Sequence, residues 1–273
     1  MSEVTPVVTE QPPVHPTNPL LERVKIPGAS YRLPSGGLFY TDEELDMSSA
    51  KDGEVHVYPM NALDEIVIRS PDKILNGMAI AEVFKRCIPE IKQPAKLFAK
   101  DVDFLMMALR HVTYGPTIDM SYTHTCEGAK EHQYTINIDE FISSAKSIDP
   151  TTINEQFTVT VPNGQIVKLH PIRFRDVIEI MQSSKYDQTQ SSSVQRQIFD
   201  TLVTVIASVD EVTDKAMIYE WVTTVPSQWF RQISESIDKN SDWGPKTIKT
   251  VKCLDCKAEI ELELPLNPIL FFT

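Results

Sequence analysis

Two segments far apart in the chain carry cysteine and histidine at spacings that suit a single metal ion. The C-terminal one is Lys252-Cys253-Leu254-Asp255-Cys256-Lys257, followed by the alternating run Ala258 to Leu264. Cys253 and Cys256 have the C-x2-C spacing that lets two thiolates of one tight turn reach a metal at about 2.3 Å. The upstream segment runs from His124 through Cys126 to His132 and continues into Tyr134-Thr135-Ile136-Asn137-Ile138. Cys126 and His132 supply the third and fourth tetrahedral ligands in this reading, with His132 preferred over His124. Each segment leads into an alternating polar and apolar stretch, as a knuckle continuing into a strand does. A zinc held by Cys126, His132, Cys253 and Cys256 ties the middle of the chain to its C-terminal end. The upstream spacing is not a standard knuckle, and Ala129 stands where a second cysteine would complete a pair. Two unrelated turns with reduced thiols therefore remain open as the alternative. A redox C-x2-C is disfavoured, because no helix starts after Cys253 to lower a thiolate pKa.

The rest of the chain sorts into two parts behind a tail. Residues 1–22 are rich in proline, threonine and valine and read as a disordered tail, removable without loss of fold. Residues 23–150 read as an N-terminal α+β domain bearing the first knuckle. In it, Pro34-Ser35-Gly36-Gly37 is a turn between two short strands, and Glu54 to Tyr58 alternates as another. Asn61 caps a helix, Asn76-Gly77 turns, and Met78 to Ile88 has helical spacing. Lys96 to Thr113 is the strongest helix, with Leu97, Phe98, Val102, Leu105, Met106 and Leu109 on one broad face, stopped by Gly115-Pro116. Residues 151–273 open with a hairpin, Phe157 to Val161 and Gln165 to Leu169 around Pro162-Asn163-Gly164. Helices follow over 172–182, 194–209, 213–222 and 227–239, with Ser184 to Ser193 as a polar break and Ser227 as an N-cap. The expected fold class is α+β: a β platform joined by the two knuckles, with a mainly helical subdomain, 171–239, inserted.

The net charge of −12 argues against nucleic acid as the main partner, since neutralising phosphates needs surplus lysine and arginine. No stretch approaches the roughly 20 apolar residues that span a bilayer, so no membrane partner is expected. Four cysteines in 273 residues do not make a disulfide scaffold. With an acidic start and no apolar leader, the cytoplasm of the cell that makes the chain is the expected location.

Catalytic patterns are missing from the sequence: no G-x-G-x-x-G, no Walker A loop, no G-x-S-x-G and no H-E-x-x-H. Asp101 and Asp103, two apart on a helix, point in different directions and form no carboxylate pair. His111 reads as a packing or capping residue, and His56 and His170 lie in strands without a visible partner. No catalytic residue is assigned. Trp221, Trp229 and Trp243 read as packing, with Trp229-Phe230-Arg231 as a rival partner anchor. The terminal Ile269-Leu270-Phe271-Phe272 is an apolar end that would be exposed if left unpaired, which suggests docking either on its own domain or on another chain.

Several short segments form an unusual combination. They are Leu33-Pro34-Ser35-Gly36-Gly37, Val57-Tyr58-Pro59-Met60 with Asp64-Glu65, Ile74-Leu75-Asn76-Gly77 and Arg86-Cys87-Ile88. Asp101-Val102-Asp103-Phe104-Leu105 with Arg110, Tyr114-Gly115, the Cys126 and Cys253/Cys256 knuckles and Leu264-Pro265-Leu266 complete the set. Together they resemble the baseplate hub protein family of T4-like tailed bacteriophages, which implies a virus-encoded structural or assembly protein of the contractile tail and no enzyme. The resemblance also implies other tail and baseplate proteins as partners, and a place in the host cytoplasm or the virion baseplate. The rival from another class is a zinc-dependent hydrolase or deaminase, which needs an open metal position and a nearby base such as Glu127 or Glu131.

Overall fold

The computed structural model describes residues 26–75, 77–123, 126, 130–153, 157–186 and 191–272. The expected tail, 1–22, lies outside them. Strand β1 (Ala29–Arg32) pairs antiparallel with β2 (Glu54–Val57), Tyr31 opposite Val55. The expected partner strand at Leu38 to Tyr40 is absent; residues 34–39 form consecutive turns instead. The reason lies in the backbone: Gly36, Gly37 and Phe39 all have positive φ, which a strand excludes. Leu33 donates its N–H to the Gly53 carbonyl at 2.9 Å. Gly53 has φ 72°, and a Cβ there would lie 2.5 Å from the Gly36 and Gly37 backbone. Two glycine turns are thus stacked where no side chain fits.

Three helices follow: α1 (Ala62–Ile68), α2 (Pro71–Leu75) and α3 (Met78–Cys87). Asn61 caps α1 as expected. Its carboxamide accepts from the N–H groups of Leu63 and Asp64, and the Asp64 carboxylate accepts from the Asn61 N–H. Asn61→Ala is expected to cost ~1 kcal/mol, read as a fall of about 2–4 °C in the melting midpoint. An unchanged midpoint would show that α1 does not depend on its cap. Gly77, at φ 67°, starts α3 where a Cβ would meet Ile178 Cδ1 at 1.9 Å.

Helix α4 (Ala99–Tyr114) is the centre of the molecule. Phe104 through Arg110 are all buried, so the helix is covered nearly all round rather than on one face. Phe98, just ahead of it, stacks on Tyr40 (4.7 Å between centroids) and meets Trp243 edge-on at 6.3 Å. The chain then forms the hairpin β3 (Thr117–Tyr122) and β4 (His132–Asn137), with Tyr122 opposite His132, and the short helix α5 (Ile138–Ser143).

The hairpin expected after residue 157 is present as β5 (Thr158–Thr160) and β6 (Ile166–Leu169). Helices α6 (Phe174–Tyr186) and α7 (Ser191–Val205) come next; residues 187–190 of the expected polar break lie outside the described residues. The helix expected to run to Val209 ends at Val205. Ile206–Val209 is instead strand β7, which pairs with β6 and makes that sheet three-stranded. Helices α8 (Lys215–Thr224) and α9 (Ser227–Lys239) close the helical stretch. Ser227 is the first residue of α9 rather than its cap; Pro226 holds the cap position. Last are the hairpin β8 (Ile248–Lys252) and β9 (Glu259–Glu263) and a terminal turn of helix, α10 (Pro268–Phe271).

The α+β class holds, but the strands do not form one platform: among the described residues they make four small antiparallel sheets. Buried side chains from both sides of residue 150, among them Leu33, Leu105, Val167, Ile206, Ile260 and Phe272, belong to one hydrophobic cluster. Phe271 and Phe272 are fully buried, so of the two expected dockings the terminus makes the one on its own chain, while Ile269 and Leu270 stay accessible. Among the described residues no helix is long and apolar enough to cross a membrane.

Candidate metal centre

The β8–β9 hairpin presents the C-x2-C turn at its tip. Ile260 and Leu262 of β9 face the core, which anchors the hairpin base. At the tip, Cys253 donates its N–H to the Ala258 carbonyl (2.8 Å) and Lys257 donates to the Cys253 carbonyl (3.0 Å). Lys257 adopts φ 63°, the left-handed conformation that reverses the chain after Cys256. Cys253 is buried and Cys256 exposed.

Cys126 comes from the loop between β3 and β4 and is partly buried against the same cluster. The three sulfurs of Cys126, Cys253 and Cys256 lie within 4.8 Å of one another. Sulfurs on a tetrahedral zinc at about 2.3 Å are separated by roughly 3.8 Å, so the trio is already near ligating distance. None of the three is in a disulfide. Desolvation, then the neighbouring Cys256 and Cys253 sulfurs, pushes the Cys126 thiol up to about 11. Crowded thiolates repel one another, and a bound dication reverses that cost.

His132 stands differently from the cysteines. It begins β4, and its Nε2 meets Asp255 Oδ2 at 2.7 Å. The same carboxylate oxygen accepts the Lys130 N–H at 3.4 Å. His132 is outside the group formed by the three sulfurs. The His132 contact, helped by the Lys130 N–H, holds the Asp255 carboxyl below the usual carboxylate range. Asp255 was not singled out from the sequence, although a carboxylate inside the C-x2-C turn and a histidine at a strand start are the signal that joins them. His124 and Glu127 lie outside the described residues, and Glu131 is exposed. The fourth cysteine, Cys87, is remote from this cluster: it sits in the core on α3, 3.8 Å from Asp64, and burial pushes its thiol up to about 12.

The other histidines and the tryptophans among the described residues make local contacts. His111 bridges the Tyr31 hydroxyl (2.7 Å) and Asp139 (3.2 Å). His56 pairs with Ser30 across β1 and β2, and His170 contacts the Pro171 carbonyl. Trp243 is buried, and Trp221 donates its indole N–H to Gln165. Trp229 is packed against the core cluster.

The described residues thus form a mixed α/β chain of small sheets, with three sulfurs brought together at two hairpin ends. The family model described as T4 bacteriophage base plate protein matches residues 51–268, well over half of the chain. The chain belongs to that family. No curated protein and no solved structure matches it.

Proposed function

We propose that this chain is a structural or assembly protein of the contractile-tail baseplate hub, acting through protein–protein contacts. The family match over residues 51–268 is the observation that carries the reading. It fits a net charge of −12, which suits neutral or basic protein surfaces better than nucleic acid. In this reading the sulfur site staples the fold and does no chemistry. The host cytoplasm during assembly and the baseplate afterwards are the places where such a protein works.

Two surfaces offer apolar contact. On α1, Leu63 and Ile66 are more than 60% exposed, one helical turn apart. Helix α10 exposes Ile269 and Leu270. The Tyr114 hydroxyl joins these elements by bonding both Glu65 and the Phe272 carbonyl, and Arg69 reaches the same carbonyl. In the helical segment, a groove between α7 and α9 is lined by Ile198, Leu202, Val205, Phe230 and Ile237.

Leu270→Asp is expected to weaken capture of baseplate partners by ~30-fold or more, the equivalent of about 2 kcal/mol for an interface anchor. Its melting midpoint should stay near the parent's, because Leu270 is exposed. The measurement is co-purification of tagged protein from infected cells, with baseplate components identified by mass spectrometry. Undiminished capture by the variant would remove α10 from the interface. Failure of the parent to bring down any tail component would sink the assembly role.

A further inference from the structure

We propose that Cys126, Cys253 and Cys256 bind one zinc ion as three thiolates, and that His132 positions the site through Asp255 rather than ligating the metal. The geometry carries both halves. The three sulfurs come from two hairpin ends separated by more than a hundred residues of sequence, yet lie within 4.8 Å of one another. A soft thiolate set of this kind selects zinc over the hard cations magnesium and calcium. On binding, each thiol gives its proton to solvent and forms a sulfur–zinc bond; nothing is oxidised or reduced.

His132 is a described residue at the edge of the same site, and neither of its ring nitrogens joins the sulfur group. Its Nε2 is engaged by Asp255, between the two hairpin cysteines, and the Lys130 N–H converges on the same oxygen. These contacts hold Lys130 and the start of β4 against the C-x2-C turn, close along the chain to Cys126. This is the outer-shell role in which a hydrogen bond orients a ligating turn.

The experiment uses the full chain purified under reducing, metal-free and then metal-replete conditions. About one zinc per chain by elemental analysis is expected, together with a fall in melting midpoint on adding a strong chelator. Replacing zinc with cobalt(II) should give the intense sulfur-to-metal absorption of a three-thiolate site. Cys256→Ser, at an exposed position, should lower zinc affinity by more than about 100-fold, reduce that absorption and remove the chelator-sensitive part of the melting midpoint. His132→Ala should lower affinity by about 10-fold while leaving the cobalt ligand-field bands in place. Shifted bands in His132→Ala would make His132 a ligand and overturn the positioning role alone. No zinc uptake, or a disulfide among the three cysteines under reducing purification, would overturn the metal site itself.

Discussion

Phe271→Ala is expected to destabilise the protein by about 3–5 kcal/mol, the cost of removing a large buried aromatic and leaving a cavity. Phe271 is fully buried and packs edge-on against Phe272 with 5.3 Å between ring centroids. Its ring also faces the Arg110 guanidinium at 5.7 Å, and Tyr114 covers the same group at 5.3 Å. Arg110 is 6% exposed, its Nε has no hydrogen-bond partner among the described residues and its Nη2 reaches only the Thr117 carbonyl at 3.5 Å, so these ring faces are a large part of what stabilises it. Removing the ring therefore opens a cavity and strips a buried cation of half its aromatic cover. Global stabilities are on the order of 5–15 kcal/mol, so most of the folded population at 37 °C is at risk. The check is the denaturant midpoint, with Leu270→Ala as the exposed neighbour that should change little. A Phe271→Ala midpoint equal to the parent's would mean that the C-terminal turn frays freely and is not core.

The same residue shows where sequence reading stops. Ile269-Leu270-Phe271-Phe272 is four apolar residues after a proline, and nothing local says which of them faces inward. Asn267 caps the turn through the Ile269 N–H, and only that turn sends Phe271 and Phe272 into the cluster while Ile269 and Leu270 point out. Where the signal is local, the structure agrees with it. Pro162-Asn163-Gly164 between alternating runs gives the β5–β6 hairpin, and Asn61 with Asp64 gives the capping box. Strand β7 was hidden for the opposite reason. Val194 to Val209 carries helical periodicity, but its last four residues complete a sheet, with Val209 opposite Val167 and the Asp210 carboxylate receiving the Ile166 N–H. Tertiary pairing overrides periodicity there, helped by the β-branched Ile206 and Val209. At the sulfur cluster, the C-x2-C turn and the approach of Cys126 were legible from residue type and spacing. The engagement of His132 by Asp255 was not, because their partnership spans 123 residues.

Asp101→Ala is expected to cost about 3 kcal/mol at neutral pH, because two buried donors lose their acceptor at about 1–3 kcal/mol each. Asp101 is fully buried on α4 and accepts the Ser35 N–H at 3.0 Å and the Tyr40 hydroxyl at 2.7 Å. The Tyr40 oxygen in turn accepts the Phe98 N–H at 2.7 Å. One carboxylate thus pins the 34–40 turns, which precede the family-matched region, to a helix inside it. Burial outweighs both hydrogen bonds, and the folded carboxyl is raised from 3.8 to about 6. The sign follows from that direction. The folded state binds the proton more tightly than the unfolded chain, so this group favours folding most below pH 4. Its contribution declines as the pH rises through 6, by up to about 3 kcal/mol in total. Asp101→Asn keeps the shape and an acceptor but cannot titrate. Between pH 5 and pH 7.5 the parent should therefore lose more stability than Asp101→Asn, measured as denaturant midpoints at both pH values. Equal pH dependence in the two proteins would place the Asp101 carboxyl in the ordinary range, and its burial would then be fully offset by Ser35 and Tyr40.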